Sequence, residues 1–219
     1  MAKLPKIGND ISLTEQAYMA IKDAIINNKF KPKEILSEEA LAVELGISRT
    51  PVRSALKRLD LECLITINSG RNAVVADISE EDMDKVFPIR AVLEPLAARI
   101  AASRINQDQL DELEKVLFVQ EEAVKKGDFE LYLQKDYEFH TMLAKFSDNE
   151  MLFGFIQNVT SHVQRFLILS QTLQSNSVIA NEEHKGVLEA LKRRDAQAAE
   201  EKMRAHVEMV TNRMVGKKK

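Results

Sequence analysis

Residues 36–59 read LSEEALAVELGISRTPVRSALKRL, and this stretch decides the fold. Glu38 to Leu45 predicts a short helix with Ser37 as its N-cap, because a serine oxygen can accept one of the orphan amide hydrogens of the first turn. Gly46 ends it, since glycine adopts the left-handed backbone that closes helices. Only Gly46 and Ile47 intervene before Ser48, which caps a further helix running to about Glu62. Pro51 sits in the first turn of that helix, where its missing N–H costs little. Two short helices joined by so tight a turn form a helix-turn-helix by spacing alone.

In the later helix of the pair Val52, Ala55, Leu56 and Leu59 recur at i, i+3, i+4 and i+7, giving one face to a core. Arg49, Arg53 and Lys57 recur every fourth residue on another face, and the window 49–58 that also holds Arg58 contains no acid. A guanidinium grips two acceptors of guanine or of a phosphate at once, so this face suits a major groove. The plain alternative is a solvated basic surface, and the tight turn and the hairpin described next count against it.

Upstream, Ala17, Ile21, Ala24 and Ile25 carry helical spacing from Ser12 to about Lys29. Lys31-Pro32-Lys33 stops that helix, because proline cannot donate an amide hydrogen bond and disfavours helix in the residue before it. Downstream the period falls to two: Leu64-Ile65-Thr66-Ile67, a turn at Asn68-Ser69-Gly70, then Ala73-Val74-Val75-Ala76 predict a hairpin. Three helices plus a β-hairpin make a winged helix-turn-helix over residues 1–77. Beyond Asp77 the pattern is helical throughout, with segments near 79–103, 107–126, 128–147, 150–173, 176–194 and 196–215. The expected fold class is therefore mainly α, an N-terminal winged helix-turn-helix followed by an all-α antiparallel helical bundle over residues 78–219.

The bulk composition fits. A chain of 219 residues with 45% apolar content supports two modest domains. The net charge of −3 argues against a general nucleic-acid coat, while eleven basic against nine acidic residues up to Ala76 leave a local basic stripe. One cysteine, Cys63, excludes an intramolecular disulfide and suits a reducing compartment. No apolar run approaches 18 residues and Met1 to Asp10 lacks a signal-peptide core, so a cytoplasmic protein with no membrane partner is expected.

The stretch from Leu36 to Leu59 resembles the operator-binding motif of the GntR family, whose LGxSRTPVRxALxRL pattern is long and specific. The resemblance implies a homodimer on palindromic double-stranded operator DNA. It places Ser48, Arg49, Thr50 and Arg53 at the start of the recognition helix against bases and phosphates, with Lys57 on the same face. Ser69 and Gly70 match the wing tip that in relatives reaches the minor groove, and Arg71 adds a phosphate contact. Three positions depart from the pattern: Glu39 stands where a basic residue is common, Ser54 where a glutamate is usual, and Cys63 where a glycine usually ends the recognition helix. Cys63 reads as a small apolar residue packed beneath the wing rather than a redox switch.

Residues 80–215 resemble the helical FCD-type effector domain of the FadR-like subgroup, through Ile89-Arg90-Ala91-Val92-Leu93-Glu94-Pro95-Leu96-Ala97-Ala98-Arg99 and through Asp136-Tyr137-Glu138-Phe139-His140 followed by His184 and His206. Asp136, His140, His184 and His206 match the pattern by which many members hold a divalent metal. Spacing agrees: Asp136 and His140 are i, i+4 on one helix face. His184 and His206 lie eleven residues either side of Asp195, so a hairpin turning there brings the two imidazoles to one height. One carboxylate and three imidazoles suit zinc, the expected ion, and also accept nickel, manganese or iron. A lone helical histidine is more often structural than a ligand, and His162 falls outside the set; agreement in type, spacing and order carries the other three.

The resemblance also implies an organic effector beside the metal, a small carboxylate or sugar acid. Arg90 and Arg165 are the candidates to pair with it, against the alternative that both are ordinary ion pairs. Gln134, Asn158 and Gln164 are available for hydrogen bonds, but no motif fixes them.

Three functions compete. A ligand-responsive regulator would couple effector binding to the spacing of two DNA-binding domains. A carboxylate-bridged metal oxidase would need Glu-x-x-His pairs, yet Tyr137, Val159, Asn181 and Met203 precede the four histidines by three residues. A third reading keeps the regulator and makes the metal structural only. The regulator is expected, and not an enzyme.

Overall fold

The computed structural model describes residues 11–68, 72–170 and 176–215. The chain divides into two compact units, Met1–Asp77 and Ile78–Lys219. Among the described residues no helix is long and apolar enough to cross a membrane.

In the first unit α1 spans Leu13–Ile26, shorter at its end than the spacing predicts, and its N-cap Ser12 accepts from the Glu15 amide. Helix α2 (Glu38–Leu45) is capped by Ser37 and closed by Gly46 at φ +65°, with no neighbour within 4 Å of a built Cβ. That glycine serves backbone conformation, not close packing. Helix α3 (Arg49–Leu61) turns Val52, Ala55, Leu56 and Leu59 inward, as their spacing requires. They pack with Ala17, Ile21 and Ile25 of α1 and Leu36, Leu41, Leu64, Ile65, Ala73 and Val75 in one core.

The hairpin is part of a three-stranded antiparallel sheet, which corrects the two-strand expectation. Strand β1 (Ile35–Leu36) pairs with β3 (Ala73–Val75), and β3 pairs with β2 (Ile65–Ile67), in the order β1-β3-β2. Two residues are too few for alternation to appear in sequence. The strand exists because β3 offers it an edge, extended by Val75 N–H donating to the Glu34 carbonyl and Lys33 N–H to that of Val75, both at 2.9 Å.

Cys63 does not lie beneath the wing. It is exposed, with φ +58°, at the left-handed position directly after α3 where a glycine would be unstrained. The backbone reversal, not side-chain size, governs this position, and it points the thiol outward.

The second unit is an all-α bundle of α4 (Glu80–Ala102), α5 (Gln107–Lys126), α6 (Phe129–Phe146), α7 (Glu150–Ser170), α8 (Ser177–Lys192) and α9 (Ala196–Val215). Polar residues start these helices locally: Ser79 with Asp82 and Asn106 with Gln109 form reciprocal capping boxes, and Asp128 and Asp195 each accept an amide three residues on. Helix α4 packs against α9, α7 and α6; α5 lies on α6 and α8, and α8 on α9. Pro95 lies inside α4 and removes the amide that would bond the Ala91 carbonyl. Arg204 of α9 donates to that freed carbonyl at 3.4 Å, so the broken helix bond becomes a tie between helices.

Candidate functional site

On α3 the side chains of Arg49, Thr50, Arg53 and Lys57 are exposed along one face, with Ser48 exposed at its start. Ser48 is the N-cap, yet its hydroxyl makes no capping hydrogen bond, leaving it with the first-turn amides at the helix's positive end. Arg53 is held by Glu38 of α2: its Nε donates to both carboxylate oxygens at 2.9 and 3.0 Å, and Nη2 donates to Oε2 at 2.7 Å. This fork presets the guanidinium between the two helices. Arg58 leaves the basic stripe. It stacks over the Tyr18 ring at 3.5 Å and bonds Glu15 at 2.7 Å, fastening α3 to α1. Beneath it the buried Lys22 donates to Tyr18 and Glu62, both at 2.8 Å. Ser69, Gly70 and Arg71 of the wing tip lie outside the described residues.

In the second unit α6 carries Asp136 and His140, α8 carries His184 and α9 carries His206. One ring nitrogen from each histidine lies within 4.8 Å of the others, all three buried. The α8–α9 hairpin closes with Asp195 capping α9, and His184 Nε2 meets His206 Nε2 at 3.2 Å. Asp136 stands at the rim, Oδ1 3.8 Å from His184 Nε2 and Oδ2 4.0 Å from His140 Nε2. Phe139 stacks on the His184 ring at 4.5 Å and shields it.

Each imidazole is oriented from behind by an acceptor that no sequence motif marked. Gln120 of α5 places Oε1 3.1 Å from His184 Nδ1 while its amide nitrogen donates to Asp136 Oδ1 at 3.4 Å. Glu183 Oε2 lies 2.8 Å from His206 Nδ1. Glu94 Oε2 lies 3.0 Å from His140 Nδ1, a short contact but a bent one, electrostatic more than a well-aligned hydrogen bond. Oxygen acceptors at these distances require N–H on Nδ1 of His184 and His206, and Arg90 Nη2, which can only donate, lies 2.9 Å from His140 Nε2 and makes that nitrogen an acceptor, so three Nε2 lone pairs converge, the one on His140 shared with Arg90. Two such lone pairs 3.2 Å apart repel unless a cation lies between them. The donor set thus fits a borderline divalent metal, with Asp136 able to close on it.

The electrostatics agree. Burial, with His206 and His140 nearby, pushes His184 well below the ordinary imidazole value; burial with His140 and Arg90 does the same to His206. Both therefore stay neutral, as ligands must. Burial raises the Asp136 carboxyl, against the pull of His140 and Arg90. At Glu94 burial also acts upward, but the Arg90 guanidinium and His140 overturn it and hold the group well below the usual carboxylate range.

A cavity of about 30 Å³ adjoins the cluster, walled by Arg90, Tyr132, Asp136, Asn176, His206 and Arg213 among others. Arg90 is thus brought to the site; Arg165 is buried on α7 and is not among the lining residues. Arg213, which spacing did not single out, takes the second cationic place, forked onto Glu183 at 3.0 and 2.7 Å. Gln164 is buried, Asn158 and His162 half-buried and Gln134 exposed, none of them lining the cavity. Ser177 Oγ and Asn181 Oδ1 of α8 are buried with no hydrogen-bond partner among the described residues.

Residues 13–75 match the family described as bacterial regulatory proteins, gntR family, and residues 85–209 match the FCD domain. An HTH-type transcriptional regulator of Bacillus subtilis, YdhC, is 30% identical over 87% of this chain and 86% of its own. The HTH-type transcriptional repressor RspR of Escherichia coli is 29% identical over 91% and 87%. Among solved structures, E. coli McbR/YncC shares the fold with a TM-score of 0.83 at 23% identity, covering 96% of this chain and all of its own. This chain belongs to the gntR family of bacterial regulatory proteins: it is a DNA-binding transcription regulator with an FCD domain, and not an enzyme.

Proposed function

We propose that this regulator binds a palindromic operator as a homodimer and that a divalent metal with a small carboxylate effector in the FCD domain sets its operator affinity. Ser48, Arg49, Thr50, Arg53 and Lys57 contact DNA from α3, with Ser69, Gly70 and Arg71 at the wing. Asp136, His140, His184 and His206 hold the metal, zinc in the first instance. The observation that carries this reading is the convergence of three buried imidazole nitrogens beside a cavity bordered by two arginines.

When bound, the metal supplies a Lewis-acidic point that a carboxylate oxygen can ligate. Arg90 and Arg213 make the remainder of the wall favourable to negative charge. In its closed form the cavity has room for one or two waters only, so a metabolite enters by moving side chains, and operator affinity follows that rearrangement. For the dimer, Ile89, Val92 and Leu96 of α4 and Met151 and Phe155 of α7 are exposed apolar side chains on two helices that pack together. An apolar surface on adjacent helices is an interface feature.

The test is fluorescence anisotropy on DNA from the protein's own upstream region, with zinc-loaded and chelated protein, across a panel of small carboxylates. Metal-dependent release or tightening by one panel member supports the proposal; indifference to metal and to every carboxylate sinks the regulatory part. Loss of zinc from His184→Ala with helix content retained supports the ligand set, and full retention of zinc removes His184 from it.

A further inference from the structure

Asp60 is half-buried on α3, three residues beyond Lys57, and a carboxylate beside a stripe that faces phosphate repels it. Its place is explained by the hairpin. Asp60 Oδ1 accepts from the backbone N–H of Ile67 at 3.0 Å. Ile67 ends β2, which is an edge of the sheet. Ala76 N–H donates to the Leu64 carbonyl at 3.0 Å and Asn68 N–H to that of Asn72 at 3.1 Å, so alternate residues 64, 66 and 68 bond across the hairpin and the Ile67 N–H turns outward. An outward amide on an edge strand lies outside the ladder, and the side chain of Asp60 supplies its acceptor.

We infer that Asp60 is a positioning residue of the DNA-reading surface: its carboxylate fixes the β2–β3 hairpin against the recognition helix, so that a wing in the minor groove keeps register with α3 in the major groove. This rests on the DNA contacts proposed above and adds the residue that aims the wing. At the base of the hairpin the backbone holds the two elements together, with Leu64 N–H donating to the Leu59 carbonyl at 3.0 Å. Three residues farther out packing leaves a cleft of about 350 Å³ lined by Glu38, Arg53, Leu56, Lys57, Ile67 and Ala73. Elements that flank open space can hinge unless a directional bond joins them. Ile67 lines that cleft and is the residue Asp60 holds, and a carboxylate on a backbone N–H is among the stronger bonds available for the task.

The test compares Asp60→Asn with Asp60→Ala in the full chain, on DNA from the protein's own upstream region. Both remove the same negative charge, but only asparagine keeps an oxygen that can accept from Ile67. Asp60→Asn binds this DNA at least as tightly as the wild type, having lost a repulsion, whereas Asp60→Ala binds it about tenfold more weakly than Asp60→Asn. Nonspecific DNA treats the two variants alike. Hydroxyl-radical footprints, which report the minor groove, lose their wing protection in Asp60→Ala and keep it in Asp60→Asn, while methylation protection of guanine N7 in the major groove persists in both. Equal binding by the two folded variants, or minor-groove protection that survives in Asp60→Ala, overturns the positioning role and leaves operator reading by α3 standing. A wild type that ignores its upstream DNA overturns both. Should Asp60→Ala not fold, hydrogen exchange of the wild type decides: the Ile67 amide is protected although it faces away from β3, and an amide that exchanges freely overturns the inference.

Discussion

Gln120 holds His184 with its oxygen, 3.1 Å from Nδ1, and Asp136 with its nitrogen, 3.4 Å from Oδ1. A single buried carboxamide on α5 thereby sets the direction of two candidate ligands on two other helices. Only one orientation of the amide serves both, which makes Gln120 the most constrained residue behind the cluster.

Gln120→Leu keeps the volume and removes both contacts. Metal affinity is expected to fall about 10–100-fold, the usual loss when an orienting partner is removed. Chelator competition measures it, and circular dichroism should show the helices intact. Unchanged affinity would mean that packing alone orients His184.

Acid should destabilise the chelated protein in a defined window. His184 and His206 are held below the ordinary imidazole value of 6.5, so under mildly acidic conditions the unfolded chain binds protons that the folded chain refuses. Stability therefore rises with pH in that window and falls as pH drops from about 6.5 toward the lowered folded values. Asp136 runs the other way, because its folded carboxyl is raised from 3.8 and keeps a proton the unfolded chain has lost, but only in a more acidic range. Urea midpoints between pH 7.5 and 5 test this, and a flat profile would place those histidines in contact with water.

Cys63→Gly should stabilise the DNA-binding unit by up to about 1 kcal/mol, since a non-glycine residue in the left-handed region carries roughly 1–2 kcal/mol of strain and glycine loses part of that gain in the unfolded state. Thermal melts compare it with Cys63→Ala, which keeps the strain and should be close to neutral. Equal melting of all three would mean that φ +58° costs nothing here.

Arg53→Ala should weaken operator binding about tenfold or more at fixed salt, by losing a base or phosphate contact. Lys57→Ala should weaken specific and nonspecific DNA alike and lower the salt slope by about one. Anisotropy titrations at several salt concentrations separate the two. An Arg53 variant with undiminished affinity would show that the fork onto Glu38 persists on DNA and keeps this arginine out of the groove.

The helix-turn-helix was legible because its determinants are local. Ser37, Gly46 and Ser48 act on amides and backbone angles within four residues, and the stripe of Val52, Ala55, Leu56 and Leu59 needs only helical periodicity to find the core. Strand β1 was not legible, because its two residues are extended only by pairing with Val74 and Ala73, nearly forty positions away.

The same division runs through the FCD domain. Residue type, spacing and resemblance were enough to nominate Asp136, His140, His184 and His206, since i, i+4 geometry and a hairpin at Asp195 follow from the chain itself. What orients them is not marked by any motif: Glu94 on α4, Gln120 on α5 and Glu183 on α8 are ordinary polar letters in sequence. Packing also put Arg90 at the cavity and Arg165 away from its wall, a distinction that two arginines on amphipathic helices do not carry in their spacing. Short-range hydrogen bonding and periodicity are written along the chain, whereas which buried acceptor meets which ring nitrogen depends on how helices far apart in sequence settle against one another.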